Sequence, residues 1–188
     1  IPAAGTGGQP LSIRGDRLTA SDVTAPNAVV KVEGKPARFE GQGLGLSGAN
    51  INLDRGANRL WIDGPGRMDV PLPEDLSDPL SGGVLTVDWR REMVFDGAAA
   101  RFEESVVASG PSQQLRTETL VVQMQRKVSF SQPNSSDRPK VEYIRCPKEA
   151  TLENRSFDKQ QQLASYDRLQ VTDLNVNALS GALTAGGP

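Results

Sequence analysis

The chain has 188 residues, enough for one large domain or two small ones with a continuous apolar interior. Hydrophobic residues make up 37% and aromatics only 5%, while 19 Gly and 13 Pro supply frequent turns, a balance that favours strands over helices. The net charge of -2 comes from acids and bases mixed along the chain with no basic stripe, which argues against a nucleic-acid partner.

Residues 1–10 form a Gly/Pro/Ala stretch without periodicity and read as a flexible linker; order is expected from Leu11, with 11–188 as a single domain. The chain opens without Met and reads as part of a longer one. Its start has neither a positive nor an apolar leader region, and no run of about 18 apolar residues forms a transmembrane segment. From Leu11 onward, short alternating runs are separated by turn residues about every eight to twelve positions, the spacing of antiparallel strands joined by hairpins. Leu85, Val87 and Trp89 alternate with Thr86 and Asp88, and Met93 and Phe95 follow the charged turn Arg90-Arg91-Glu92. The parity continues through Leu120, Val122 and Met124, then Val128 and Phe130 after the basic turn Arg126-Lys127, then Leu169, Val171, Leu174 and Val176. A period of two places each set on one sheet face, opposite polar residues such as Thr119, Gln123 and Gln170. Ser156 to Arg168 is the best helical candidate and reads equally as a strand connection.

Internal repetition is the most informative feature. Ala37-Arg38-Phe39-Glu40 recurs as Ala100-Arg101-Phe102-Glu103, with a weaker copy at Ala150-Thr151-Leu152-Glu153, which predicts three uneven units roughly 50 to 63 residues apart. Such units cannot bury an apolar face alone, so they stack or curl over each other. Two architectures satisfy that need: a closed sandwich, or a folded-over antiparallel sheet around an apolar trough, with edge strands free to pair with further copies.

Ala100-Arg101-Phe102-Glu103, followed by Ser105-Val106-Val107-Ala108-Ser109 and Gln114-Leu115-Arg116-Thr117-Glu118-Thr119-Leu120-Val121-Val122, resembles the OstA-like repeat of LptA-type lipopolysaccharide-transport proteins. Lys35 to Glu40 with Ile51 to Asp54 looks like a second copy, and Tyr166 to Val171 like a third. The resemblance implies an all-β fold, a β-jellyroll or β-taco of repeated strand pairs, in the periplasm or cell envelope. It implies an acylated envelope lipid in the trough and edge-to-edge β-pairing with like domains. The lipid-trough candidates are Phe39, Leu53, Leu60, Ile62, Leu85, Val87, Met93, Phe95, Phe102, Leu120, Val122, Val128, Phe130, Leu169 and Val171; the same residues suit any β-sandwich core. The alternative is a structural β-repeat segment of a large envelope or surface protein without a lipid ligand. Pro-rich stretches, Pro71 to Pro79 and Gln132 to Pro139, depart from the family pattern.

Catalytic chemistry has little to work with. The absence of histidine excludes Ser-His-Asp and Cys-His arrangements and every histidine-ligated metal site, so no enzyme, cofactor or metal is expected. The lone Cys146 cannot form an internal disulfide and reads as an inert, partly buried thiol. Gly43 to Gly48 matches G-x-G-x-x-G but is followed by the strand-like Ile51-Asn52-Leu53, so it reads as a glycine-rich connection rather than a phosphate cradle. Trp61 and Trp89 are expected in or beside the core with their N–H bonded, rather than as sugar-stacking platforms.

Overall fold

A computed structural model describes residues 12–187 apart from 23, 42–43, 72–82, 131–139, 158–159 and 161. The expected linker 1–10 and nearly all of both Pro-rich stretches lie outside the described residues. Among the described residues, fifteen strands form one antiparallel sheet. They are β1 (Ser12–Arg14), β2 (Arg17–Ser21), β3 (Val29–Gly41), β4 (Leu44–Asp54), β5 (Arg59–Asp63), β6 (Gly66–Pro71), β7 (Val84–Trp89) and β8 (Glu92–Phe95), then β9 (Ala99–Ser109), β10 (Gln113–Met124), β11 (Val141–Cys146), β12 (Ala150–Phe157), β13 (Leu163–Val171), β14 (Asp173–Asn177) and β15 (Leu183–Gly186). The all-β, folded-over antiparallel architecture is the one expected.

The fold-over comes from four long strands whose two halves pair with different neighbours. In β4, Asn52 to Asp54 pair with β5 and Gly45 to Gly48 with β6. In β10, Val121 to Met124 pair with β11 and Gln113 to Thr117 with β12. Strand β9 divides likewise between β8 and β7, and β3 between β2 and β1. Two leaves result. Leaf A runs in the order β2, β3, β4, β5, β8, β9, β10, β11, β14, β15, and leaf B in the order β1, β3, β4, β6, β7, β9, β10, β12, β13.

Local chemistry marks the crease between the leaves. Strand β3 loses register between Glu33 and Ala37, around Gly34 and Pro36, and β10 loses it between Thr117 and Thr119. Strand β9 bends at Glu104 and Ser105, which adopt φ of 69° and 49°. Left-handed backbone at non-glycine residues is costly and needs support. The turn between β7 and β8 supplies it: the Arg90 and Arg91 N–H groups donate to the carbonyls of Glu104 (2.9 Å) and Glu103 (3.0 Å). The Glu103 carboxylate, 7% exposed, accepts from Arg91 (2.5 Å), from Arg101 and from the Thr119 hydroxyl (3.4 Å). Where the crease is tightest, side chains shrink. A Cβ on Gly48 would stand 2.5 Å from Ile62 Cγ2, and one on Gly66 would run into the Trp89 ring.

The structural repeat differs from the predicted one. Strands β1 to β6 recur as β7 to β12 in the same leaves with the same pairing, and β13 to β15 take the places of β7, β8 and the first half of β9. Phe39 lies in leaf B and Phe102 in leaf A, so the two Ala-Arg-Phe-Glu stretches are not equivalent. Four matching letters preserve the alternation but carry no information about which side of the bend they fall on. Ser156 to Arg168 holds no helix among its described residues; it ends β12 and begins β13. Leu44 to Gly48 lies inside β4, so this part of the glycine motif is strand rather than connection. Val128 and Phe130 follow the basic turn outside any strand.

Candidate functional site: an apolar trough between the leaves

Cross-strand pairing aligns the inward side chains in rows perpendicular to the strands, because paired residues share a face. Next to the crease, leaf A carries Val32, Ile51, Ile62, Met93, Phe102, Leu120, Cys146 and Leu174, all buried. Leaf B answers with Ala37, Gly48, Trp89, Val106, Thr117, Ala150 and Val171, also buried. The leaves touch there: the Trp89 and Phe102 rings meet at 5.3 Å between centroids. Trp89 Nε1 donates to the Gly64 carbonyl at 3.1 Å, the expected bonded core indole. The Cys146 thiol is fully buried, which pushes its pKa up to about 11 and keeps it protonated.

One step away from the crease the packing loosens. The rim row of leaf A runs Val30, Leu53, Leu60, Phe95, Ala100, Val122, Ile144, Val176 and Leu183. Of these, only Leu60 and Ala100 are buried. The facing row of leaf B runs Ile13, Phe39, Leu46, Met68, Val87, Ala108, Leu115, Leu152 and Leu169. The rows become uncovered at both ends of the fold. Leu169 is 41% exposed and Leu183 47%; at the opposite end Ile13 of the leaf B row is 39% exposed, and Leu18, which extends the crease row beyond Val32, is 60% exposed. Of the nine residues of β13, only Val171 is buried.

The fifteen candidates therefore divide by depth. Leu60, Ile62, Val87, Met93, Phe102, Leu120 and Val171 are buried core residues. Phe39, Leu53, Leu85, Phe95, Val122 and Phe130 are partly buried and pack against that core, and Val128 is partly buried outside the core cluster. Leu169 is exposed in the inner row of leaf B. Sequence reading missed Leu115, Ile144 and Leu152. Their own strands mix polar and apolar residues on both parities, as in Val141-Glu142-Tyr143-Ile144, and only their pairing partners reveal the face.

Trp61, expected in or beside the core, instead lies on the outer face, partly buried, with the Arg59 guanidinium 5.0 Å from its ring centre, because the strand's two-residue period turns Leu60 and Ile62 inward. Among the described residues, no three His, Cys, Asp or Glu side chains gather as a metal site, and no helix is long and apolar enough to cross a membrane.

The fold is a folded-over antiparallel β-roll whose inward apolar side chains are exposed at both ends. No family model matches the chain, and no curated protein does. Among solved structures, the chain is similar to LptH of Pseudomonas aeruginosa, described as the LptA homologous periplasmic component of the conserved lipopolysaccharide transport device. The identity is 15%, the TM-score is 0.49, and the match covers 72% of this chain and 94% of that one.

Proposed function

We propose that the chain is a periplasmic module of lipid transport, which takes the acyl chains of a lipopolysaccharide-type lipid into the trough and joins like domains through its free edges. One observation carries the reading: two facing apolar rows run the length of the fold but are covered only in the middle, leaving Leu169 and Leu183 exposed on adjoining leaves. A soluble domain has no folding reason to keep aliphatic rows uncovered, whereas each methylene buried there contributes about 0.8 kcal/mol to holding a lipid. The edges fit end-to-end joining. Among the described residues, β1 and β2 pair only with β3, β13 only with β12, and β15 only with β14, so each end presents unpaired backbone in both leaves. The sequence resemblance to OstA-like repeats points to the same class of ligand and to the same compartment.

The test is saturable binding of dansylated undecanoic acid, read by fluorescence. Binding to the wild type and its loss in Val122→Glu and Ile144→Glu, with circular dichroism and unfolding midpoint preserved, is the expected result. Both residues lie on the rim, so they report on the trough without dismantling the core. Unchanged binding in both variants overturns the reading. Normal folding with no binding to the wild type or to Phe130→Ala favours the ligand-free structural repeat.

A further inference from the structure

After β10 the chain leaves the sheet, and residues 125–130 cross the rim of leaf A as a strap. Neighbouring backbone and side chains hold it. The Gln125 N–H donates to the Lys140 carbonyl (2.9 Å) and the Val128 N–H to the Gly97 carbonyl (2.7 Å). Asn58 grips it from both sides: its Nδ2 donates to the Val128 carbonyl at 2.8 Å, and its Oδ1 accepts the Phe130 N–H at 2.8 Å. Arg55 Nε adds a bond to the Phe130 carbonyl at 3.3 Å.

Two turns are shaped for this contact. Asn58 adopts φ of 53° at the end of the β4–β5 turn, a conformation asparagine tolerates better than most residues. Gly97, at φ +88°, lies so close beneath the strap that a Cβ there would overlap Asn58 Nδ2 and stand 2.6 Å from the Val128 carbonyl oxygen. Phe130, thus fastened, packs against the core cluster and meets Phe95 edge-on, with ring centres 5.8 Å apart. Phe95 belongs to the rim row of the trough. The ring fills an apolar position that no strand of the sheet supplies, and it is held there through backbone bonds to a strap rather than by a neighbouring ladder.

We infer that Phe130 is a tethered gate: it occupies the trough beside Phe95 as an acyl chain would, and it must swing out with its strap before a lipid can extend through that section. The inference rests on the lipid reading above and adds how access to the same trough is controlled. A ring that competes with the ligand lowers apparent affinity by the fraction of molecules in which it is seated. Weakening the clasp raises the open fraction. The two hydrogen bonds that Asn58 makes to the strap are together worth about fivefold in that equilibrium, so their loss is felt even with the ring intact.

The experiment compares wild type, Phe130→Ala, Asn58→Ala and Val122→Glu for equilibrium and stopped-flow binding of dansylated undecanoic acid. Phe130→Ala is expected to bind about tenfold tighter and faster, and Asn58→Ala about fivefold faster while retaining the ring. Binding by Phe130→Ala where the wild type binds too weakly to measure also supports the gate. If wild type binds, Val122→Glu does not, and both strap variants match wild type, the gate is overturned while the lipid reading stands. Weaker binding by Phe130→Ala makes the ring a wall of the site and overturns the gate as well. No binding by wild type or by either strap variant removes the lipid reading, and the gate with it.

Discussion

The middle of the roll and its C-terminal end are built on the same pairing scheme, yet one is a covered core and the other leaves its apolar row exposed. Phe102 on β9 and Leu169 on β13 both sit in inner rows beside apolar cross-strand neighbours. Phe102 is fully buried because Trp89 of the other leaf closes over it. Leu169 has Leu152 beside it in the row, but β13 has no strand on its other side among the described residues. Apolar alternation thus makes a side chain available for burial, and only a covering leaf completes it.

Truncating one residue in each region separates them most sharply. Phe102→Ala removes a large buried ring where both leaves meet and is expected to cost about 3–5 kcal/mol, whereas Leu169→Ala should cost less than about 1 kcal/mol. Urea unfolding measures both. Equal losses would mean that the C-terminal rows are covered in solution.

A smaller effect is expected at the crease itself. Glu103→Ala strips the bend of β9 of its bonds to Arg91, Arg101 and Thr119 and should cost about 2–3 kcal/mol. The two guanidiniums are more than half exposed and can turn to water, which keeps the loss below that of a stranded buried charge. If the bend is what seats the leaves, amides flanking Glu104 and Ser105 will lose exchange protection in this variant before those of β14 and β15.

The smallest effect lies at the rim, under the strap. Asp96 Oδ1 accepts the N–H groups of Ala98 and Ala99, each at 2.8 Å, and chiefly the Ala99 bond holds its pKa below the ordinary carboxylate value. A depressed folded value means that the stabilisation is fully present above about pH 4 and is lost as pH falls through the folded pKa. Amide exchange at Ala98 and Ala99, corrected for its intrinsic pH dependence, should therefore accelerate on acidification while the rows beside the crease stay protected. Asp96→Asn should abolish that difference. Because the β8–β9 turn carries the Gly97 carbonyl that holds Val128, the same acidification loosens the strap.

Much of this architecture was legible from residue order alone. The two-residue period of Leu85, Val87 and Trp89, the turn at Arg90 and Arg91 and the return through Met93 and Phe95 stand in the structure as β7, turn and β8, because alternation and turn chemistry are local. The burial of Trp89 and Cys146 followed from residue type. Val128 and Phe130 show where this reading stops. Their parity matched a strand, but the backbone partners waiting for them were a side chain, Asn58, and a turn carbonyl, Gly97, so the segment became a strap.

By itself, then, the sequence determined a β-rich chain with an oily face on each strand, frequent turns and no histidine chemistry. Tertiary structure decided which half of each long strand joins which leaf, which residues meet across the crease, and where the rows are left uncovered. The reason is physical: face is set by backbone period within a few residues, whereas coverage depends on partners far away in the chain, whose register is settled only when the sheet bends and closes on itself.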